Sequence, residues 1–164
     1  MFRTRKIIKD ESGATAVEFA FIMPMLITLC FGLIDFIALF FEYHRANEAT
    51  RLIARELASQ SPLVSQSNLL ASNPYSCVTG TCSDITPALS SAKKLIPYLS
   101  AANVEVTYEA VDIGNVGYAL AYKPLITVKL VDVTYNFMFL SFVPGLPSEL
   151  PVNPAETTLI GNWY

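Results

Sequence analysis

The longest apolar run of the sequence comes early in the chain. From Phe19 to Phe41 it reads FAFIMPMLITLCFGLIDFIALFF, with one charge, Asp35, and one helix breaker, Pro24. A helix of this length extends about 34 Å at about 1.5 Å per residue, and the hydrocarbon core of a bilayer is about 30 Å thick. We therefore predict a transmembrane helix.

A cleaved secretory signal is the alternative explanation of this run. The apolar region of such a signal is normally about 7 to 15 residues long, and small residues follow it at the cleavage site. Here Phe41, Glu42, Tyr43 and His44 stand in that place. We therefore expect the helix to remain in the mature protein as a membrane anchor.

The helical pattern continues past the apolar run. Apolar side chains recur at helical spacing, with charged residues mostly between them, at Ala46, Ala49, Ile53 and Leu57. No helix breaker separates this stretch from the run, so one helix is predicted from near Ala14 to about Ser59. Its first part lies in lipid, and its second part is an amphipathic stalk against a domain. Pro62 and the Ser- and Asn-rich stretch up to Ser76 end it.

Patterns of one further helix and several strands follow. Asp84 is a candidate N-cap and Pro87 suits the first turn of a helix with an apolar stripe at Ala88, Leu89, Ala92, Leu95, Ile96 and Leu99. Strand patterns with a turn between the first two lie at residues 104–108, 118–122 and 125–135, and an edge strand is predicted at 157–160.

Two segments do not fit a regular element. Phe137–Val143 is apolar but too short to cross a bilayer, so we interpret it as core or as a membrane-proximal lip. Four prolines then predict an irregular, extended loop: Pro144, Pro147, Pro151 and Pro154.

Together these elements predict an α+β fold in which a long N-terminal helix, half anchor and half stalk, packs on a small antiparallel sheet with one or two shorter helices. We divide the chain into a basic leader at residues 1–13, the transmembrane helix with its amphipathic extension at 14–60, and an α+β domain at 61–164. The last segment is long enough for one small domain.

Charge gives a weak indication of orientation. Four basic residues precede the run and three follow it, namely Arg3, Arg5, Lys6 and Lys9, then Arg45, Arg51 and Arg55. The N-terminal flank is short, whereas a long C-terminal segment translocates largely regardless of its charge. We therefore expect a single-pass protein with a cytoplasmic N-terminus and an extracytoplasmic C-terminal domain.

The sequence shows no pattern typical of catalysis or of nucleic-acid binding. It contains no nucleophile motif, P-loop, dinucleotide fingerprint or paired metal ligands, and its one histidine, His44, lies just past the apolar run. The 11 Lys and Arg residues, against 14 Asp and Glu, form no basic stripe interleaved with aromatic residues. We predict no enzyme activity, no cofactor, no metal site and no nucleic-acid partner.

Cys77 and Cys82 lie in a polar, turn-rich stretch where a short loop can close. Outside the cytoplasm, this spacing favours a disulfide, with two free thiols as the alternative. Half a metal site is the third alternative, but it lacks two further ligands. Cys30 is interpreted as an apolar packing residue of the membrane helix.

Two carboxylates in or beside the apolar run require an explanation, because a charge in lipid is costly without a partner. Glu18 stands at the start of the run, where it either meets a cation or lies at the headgroup level near the positive end of the helix dipole. Asp35 lies six residues before Phe41. Pairing with another subunit and placement at the opposite interface both remain open for it.

At this point a resemblance becomes specific. The basic leader, ESGATAVEF at 11–19, AFIMPML at 20–26 and FGLIDF at 31–36 resemble the TadE-like pseudopilins of the tight-adherence, or Flp, branch of bacterial type IV pilus systems. Family members have a Gly before a cleavage site, a Glu five residues after it and then an aromatic residue, and Gly13, Glu18 and Phe19 match this pattern. Asp35 departs from it, since many members carry Glu there.

The resemblance implies a minor pilin-like structural protein of the bacterial inner membrane. A prepilin peptidase would cleave the Gly13–Ala14 bond on the cytoplasmic side, where a glycine lets the enzyme approach the backbone closely. The new α-amino group of a neighbouring subunit would then be the partner of Glu18. Implied partners are other pilins and pseudopilins, the peptidase, the inner-membrane assembly platform and membrane lipid. The alternative is an envelope anchor that binds a partner through its outer domain and never enters a filament.

Overall fold

One long helix, α1 (Glu11–Ser59), organises the structure, a computed structural model that describes residues 11–77, 85–112, 122–152 and 156–161. The predicted end near Ser59 is confirmed, and the helix begins three residues before the predicted Ala14. Pro24 lies inside α1, and the hydroxyl of Thr28 donates a hydrogen bond of 2.8 Å to the Pro24 carbonyl. The helix thus runs uninterrupted from the apolar run into the stalk.

The C-terminal half of α1 packs on an antiparallel sheet with strand order β1-β2-β3-β6. The strands are β1 (Tyr75–Cys77), β2 (Val104–Asp112), β3 (Tyr122–Leu130) and β6 (Thr157–Ile160). β2 and β3 pair along their whole length, from Val104 opposite Leu130 to Asp112 opposite Tyr122. A separate hairpin joins β4 (Thr134–Asn136) to β5 (Glu149–Pro151).

Alternation along β2 and β3 places every second side chain against α1. The buried residues of these strands are Val104, Val106, Tyr108, Pro124, Ile126, Val128 and Leu130. Facing it, α1 buries Ala46, Ala49, Thr50, Ile53, Ala54 and Leu57, so the predicted stalk stripe is confirmed. Two short helices, α2 (Gln66–Ala71) and α3 (Thr86–Ala92), complete the core. The fold is α+β, with a long apolar N-terminal helix on a small antiparallel sheet.

The second predicted helix is shorter than its apolar stripe. α3 ends at Ala92, although Ile96 and Leu99 are buried like the residues before them. Pro97 has no N–H to donate to the carbonyl four residues back, and it restricts the backbone of Ile96 to non-helical angles. The stripe therefore continues as turns that still pack against the core. The predicted N-cap Asp84 lies outside the described residues.

The strand predictions differ from the structure at their ends. The predicted strand at 125–135 ends at Leu130, because the chain turns at Asp132, whose φ of 55° is left-handed, and then forms β4. The proline-rich loop contains β5, which the sequence did not indicate, and α2 and β1 lie in the stretch that was predicted only to end the long helix. The edge strand at 157–160 is confirmed. The predicted turn at 113–117 and most of the strand at 118–122 lie outside the described residues.

Candidate functional site

The N-terminal half of α1 projects away from the domain with its apolar side chains exposed. Large apolar residues are exposed along it from Val17 to Tyr43, whereas the core contacts of α1 begin with the partly buried Leu39 and with Ala46. Among the described residues, one helix, α1, is long and apolar enough to cross a membrane. An uncovered apolar surface of this length fits a single-pass membrane anchor.

The four residues predicted for processing and assembly lie on the first turns of α1. Gly13, Ala14, Glu18 and Phe19 are all exposed. A Cβ added at Gly13 would meet no atom within 4 Å, so packing within this chain does not require a glycine there. Within the part of the chain that the structure describes, no hydrogen bond or ion pair of the Glu18 carboxylate is found. Its pairing with an amine stays a prediction.

Asp35 has a partner that the sequence did not suggest. It is 1% exposed, and its carboxylate accepts three backbone hydrogen bonds, from the N–H groups of Met138 (3.2 Å), Phe139 (2.8 Å) and Leu140 (2.7 Å). Leu140 is the first residue of a 3-10 turn, Leu140–Phe142, whose first N–H groups have no partner within the turn. A carboxylate that receives several N–H groups makes strong, charge-assisted hydrogen bonds.

The segment bound by Asp35, which we call the 137–147 loop, lies along α1. The rings of Phe31 and Phe139 stack with centroids 4.4 Å apart and planes inclined by 13°. Leu140 lies beside Gly32, where an added Cβ would be 3.5 Å from Leu140 Cδ2, an ordinary van der Waals contact. A shallow cavity between loop and helix is lined by Thr28, Phe31, Gly32, Phe139, Leu140, Phe142 and Val143. None of residues 137–143 is buried, so the domain-core interpretation of this segment does not hold, and the membrane-proximal lip stays a prediction.

For Asp35, the sequence left open a partner subunit or an interfacial position, and the structure shows a third arrangement within the chain. The sequence held two hints of this contact. One was a lone carboxylate in an apolar run, and the other was an uncharged apolar segment of about seven residues that no predicted element explained. Both need a partner if they lie in a low-dielectric environment. Their separation of about 100 residues hid the connection.

A polar cluster fixes α1 to the domain just past the apolar run. The Arg45 guanidinium contacts the Glu42 carboxylate at 3.2 Å and donates to the carbonyl of Leu95, and the Tyr98 hydroxyl donates to Glu42. Burial first, and then the hydrogen bond to Glu42, raises the pKa of Tyr98 to about 12. Tyr98 therefore remains a protonated donor at physiological pH. The cluster was not predicted, because its members lie about fifty residues apart.

The described residues include two of the three cysteines, Cys30 and Cys77. Cys77 is the last residue of β1 and is buried, whereas Cys82 lies outside the described residues, so their disulfide stays a prediction. Cys30 has a free thiol and is exposed on the apolar part of α1. Among the described residues, no three His, Cys, Asp or Glu side chains lie close enough together to hold a metal ion.

Comparison with known proteins gives one finding, and it falls on this helix. The family model of TadE-like proteins matches residues 13–55. We call these matched residues the TadE-like segment. The match includes Gly13, Glu18 and Asp35 and ends inside the stalk, and it is consistent with a TadE-like protein of the Tad pilus system. A search of curated proteins and a search of solved structures each found no match.

The TadE-like segment makes up most of helix α1. It covers the exposed apolar half of α1 and most of the half that packs on the sheet. The family is a structural, pilus-related one, and it suggests association with other pilus components. We call the three hydrogen bonds that Asp35 accepts from the 137–147 loop the carboxylate clamp. Asp35 belongs to the TadE-like segment, while the loop lies outside the matched residues.

Proposed function

We propose that this chain is a minor pilin-like, or pseudopilin, structural protein for assembly of a bacterial Tad-type pilus. It is held in the inner membrane by α1, with its N-terminus in the cytoplasm and residues 61–164 outside as the domain. A prepilin peptidase cleaves it after Gly13, and the mature chain, beginning at Ala14, associates with other pilins through α1 at the assembly platform. Its role is structural, not enzymatic.

One observation carries this proposal: a TadE-like helix whose first half is exposed, apart from the face that the 137–147 loop contacts, and whose second half packs on the domain. The exposed faces of this half offer an apolar surface that can lie in lipid and later pack against other helices. The packed half transmits the position of α1 to the domain, because Ala46, Ala49 and Ile53 fix it on the sheet. This combination suits a subunit that is stored in a membrane and then assembled.

The start of α1 supports the proposed processing. Gly13 is exposed and lies in the first turn of α1, so the helix must unwind locally before a peptidase can bind the scissile bond in an extended form. Glycine lowers helix stability by roughly 1 kcal/mol relative to alanine, and it leaves the backbone accessible. Both properties favour cleavage between Gly13 and Ala14.

Glu18 supplies the proposed assembly contact. Its exposed carboxylate lies one helical turn after Ala14, whose α-amino group is freed by cleavage. Within lipid, that amine and the carboxylate of a neighbouring chain replace solvation that neither finds alone. In the stored subunit, Glu18 can pair with the amine of its own chain, four residues away, and then exchange it for a neighbour's.

A second candidate is an anchored envelope subunit that binds a partner without entering a filament. The observation that favours it is the 137–147 loop, which covers the face of α1 around Phe31, Gly32 and Asp35. A helix with one face covered by its own chain has less surface for close packing with neighbouring helices. The two candidates therefore differ in where the mature protein is found.

Fractionation of sheared pili distinguishes them. Cells that produce the pilus are sheared, and the protein is quantified in the pilus fraction and in the inner membrane, with an inner-membrane protein outside the pilus system as the contamination control. We expect a small, reproducible part of the mature form in purified pili. Recovery only in the membrane, at the level of the control protein in the pilus fraction, would favour the envelope subunit.

A further inference from the structure

We propose that the 137–147 loop is a second membrane contact, inserted among lipid acyl chains in the leaflet nearer the domain and held against α1 by Asp35. This inference rests on the membrane anchoring of α1, but on neither cleavage nor pilus assembly. Its occupant is lipid, and three features of the loop argue for it.

The first feature is the surface of the loop. Met138 is 67% exposed, Phe142 82% and Leu146 48%, and no charged residue occurs from Val133 to Ser148. Sixteen uncharged residues that present large apolar side chains to the outside are unusual in an aqueous loop, since surface loops are normally rich in polar and charged residues. The same composition is favourable among acyl chains.

The second feature is the position of the loop along α1. Its contacts extend from Asp35 back to Thr28, seven residues or about 10 Å nearer the start of the span. Exposed apolar side chains of α1 also continue on the other side of Asp35, at Phe36, Ile37, Phe40 and Phe41. The loop therefore lies beside the apolar run itself, and its surface is continuous with that of the membrane helix.

The third feature is the backbone. Non-helical chain at membrane depth is tolerated only where its polar groups find partners, because lipid offers none. Asp35 accepts the N–H groups of Met138, Phe139 and Leu140. Of the six other N–H groups in the loop, four donate to carbonyls of the loop or its base, those of Phe137, Phe142, Val143 and Leu146. Pro144 and Pro147 have no N–H to satisfy.

These features give the buried charge of Asp35 a function. One carboxylate accepts hydrogen bonds from three N–H groups at once. Without it, three separate carbonyls of the loop would have to accept them. Asp35 is thus a positioning residue for the loop. A water-exposed loop needs no such clamp, since water satisfies its backbone donors.

Depth-dependent fluorescence quenching tests the inference with the full-length chain. The one native tryptophan, Trp163, is changed to Phe, and one Trp is introduced at each of three exposed apolar positions. Phe142→Trp reports the loop, Leu29→Trp the membrane helix, and Leu70→Trp on α2, past the far end of α1, is the matched control. Each protein is reconstituted into vesicles of phospholipids brominated on their acyl chains.

We expect several-fold stronger quenching at positions 142 and 29 than at position 70. Quenching at 29 alone would overturn loop insertion and leave the anchor intact, whereas no quenching at either would overturn both. If Trp at position 142 escaped the brominated lipid and was also shielded from aqueous iodide, a protein surface would be the occupant and the lipid proposal would be wrong.

The role of Asp35 is tested in the same system. Asp35→Asn added to Phe142→Trp keeps the size of the side chain but removes its charge, so we expect weaker quenching at position 142. The same substitution added to Leu29→Trp should leave quenching at 29 unchanged. Undiminished quenching at 142 would show that the loop stays in the membrane without the clamp.

Discussion

Two carboxylates on the apolar part of α1 have opposite surroundings. Glu18 is exposed near the start of the helix, whereas Asp35 is buried and receives three backbone N–H groups. A charge that is satisfied within its own chain has no need of a neighbour, but an exposed one in lipid does. We therefore propose a structural role for Asp35 and an intermolecular role for Glu18.

Asp35→Asn should loosen the 137–147 loop without preventing membrane insertion. Hydrogen bonds to a charged group contribute about 1.5–3 kcal/mol each, so losing the charge should raise local opening by about tenfold or more. Hydrogen exchange of the amides of Met138, Phe139 and Leu140, measured in a membrane mimetic, checks this. Glu18→Gln, which alters a distant carboxylate, is the control. Unchanged exchange in Asp35→Asn would contradict the clamp.

Glu18→Gln should insert normally and be processed nearly normally, but it should fail in pilus assembly or in co-purification with other pilins. The amide keeps the size and hydrogen bonding of the side chain and removes the charge that meets an amine. Glu18→Asp should be intermediate, since it keeps the charge but shortens its reach. Membrane level, mature fraction and surface pili are quantified together.

Phe19→Leu serves as the packing control for the Glu18 variants. Wild-type piliation by Glu18→Gln would remove the assembly role and leave Glu18 as an interfacial carboxylate. A defect confined to processing would instead assign Glu18 to recognition by the peptidase.

At the scale of elements, small residues set the distance between α1 and the sheet. Ala46, Ala49 and Ala54 are fully buried, and the hydroxyls of Thr50 and Thr157 form a hydrogen bond of 3.0 Å between α1 and β6. A larger side chain at such a position forces the helix away from the strands or strains its own rotamer.

Ala49→Leu should lower the free energy of unfolding of the domain by about 1–3 kcal/mol, the usual cost of overpacking a core. Denaturant unfolding of the detergent-solubilised protein measures the change. Arg55→Leu, on the exposed side of the same helix, introduces the same side chain and should change stability little. Equal effects of the two substitutions would contradict close packing at Ala49.

The predicted disulfide would link Cys77, the last residue of β1, to Cys82. Because the closed loop is short, we expect a modest stabilisation, roughly 2 kcal/mol, and local ordering more than rescue of the fold. Peptide mapping of protein isolated without reductant should recover the two cysteines linked and Cys30 reduced. Recovery of both as alkylatable thiols would show that the pair is not formed.

Whether a feature could be predicted depended on how far apart in the sequence the residues that determine it lie. The apolar run, the stalk stripe and the edge strand at 157–160 follow from local periodicity, which the sequence displays directly. The end of α3 at Ala92 required weighing Pro97 against an apolar stripe that continued. The contact of Asp35 with the 137–147 loop depended on residues about 100 positions apart, and no local pattern specifies such a pairing.

At the scale of the whole molecule, one continuous helix joins a membrane anchor to a folded domain. The core of the domain closes around the C-terminal half of α1, while Glu42, Arg45 and Tyr98 fix the helix where it leaves the apolar run. A force or displacement applied to the anchor is therefore carried directly to the domain. Such a connection is what a subunit drawn from a membrane requires.

The proposed role requires cleavage of the Gly13–Ala14 bond, so the N-terminal residue of the mature protein tests the account most directly. Gly13→Val is the matched variant, because a Cβ added at position 13 would meet no atom within 4 Å and the apolar run is unchanged, so insertion should survive. Intact mass and N-terminal sequencing of protein from the native membrane should give a chain starting at Ala14 in the wild type and the uncleaved chain in Gly13→Val. A wild-type protein that still begins at Met1, or normal processing of Gly13→Val, would contradict it.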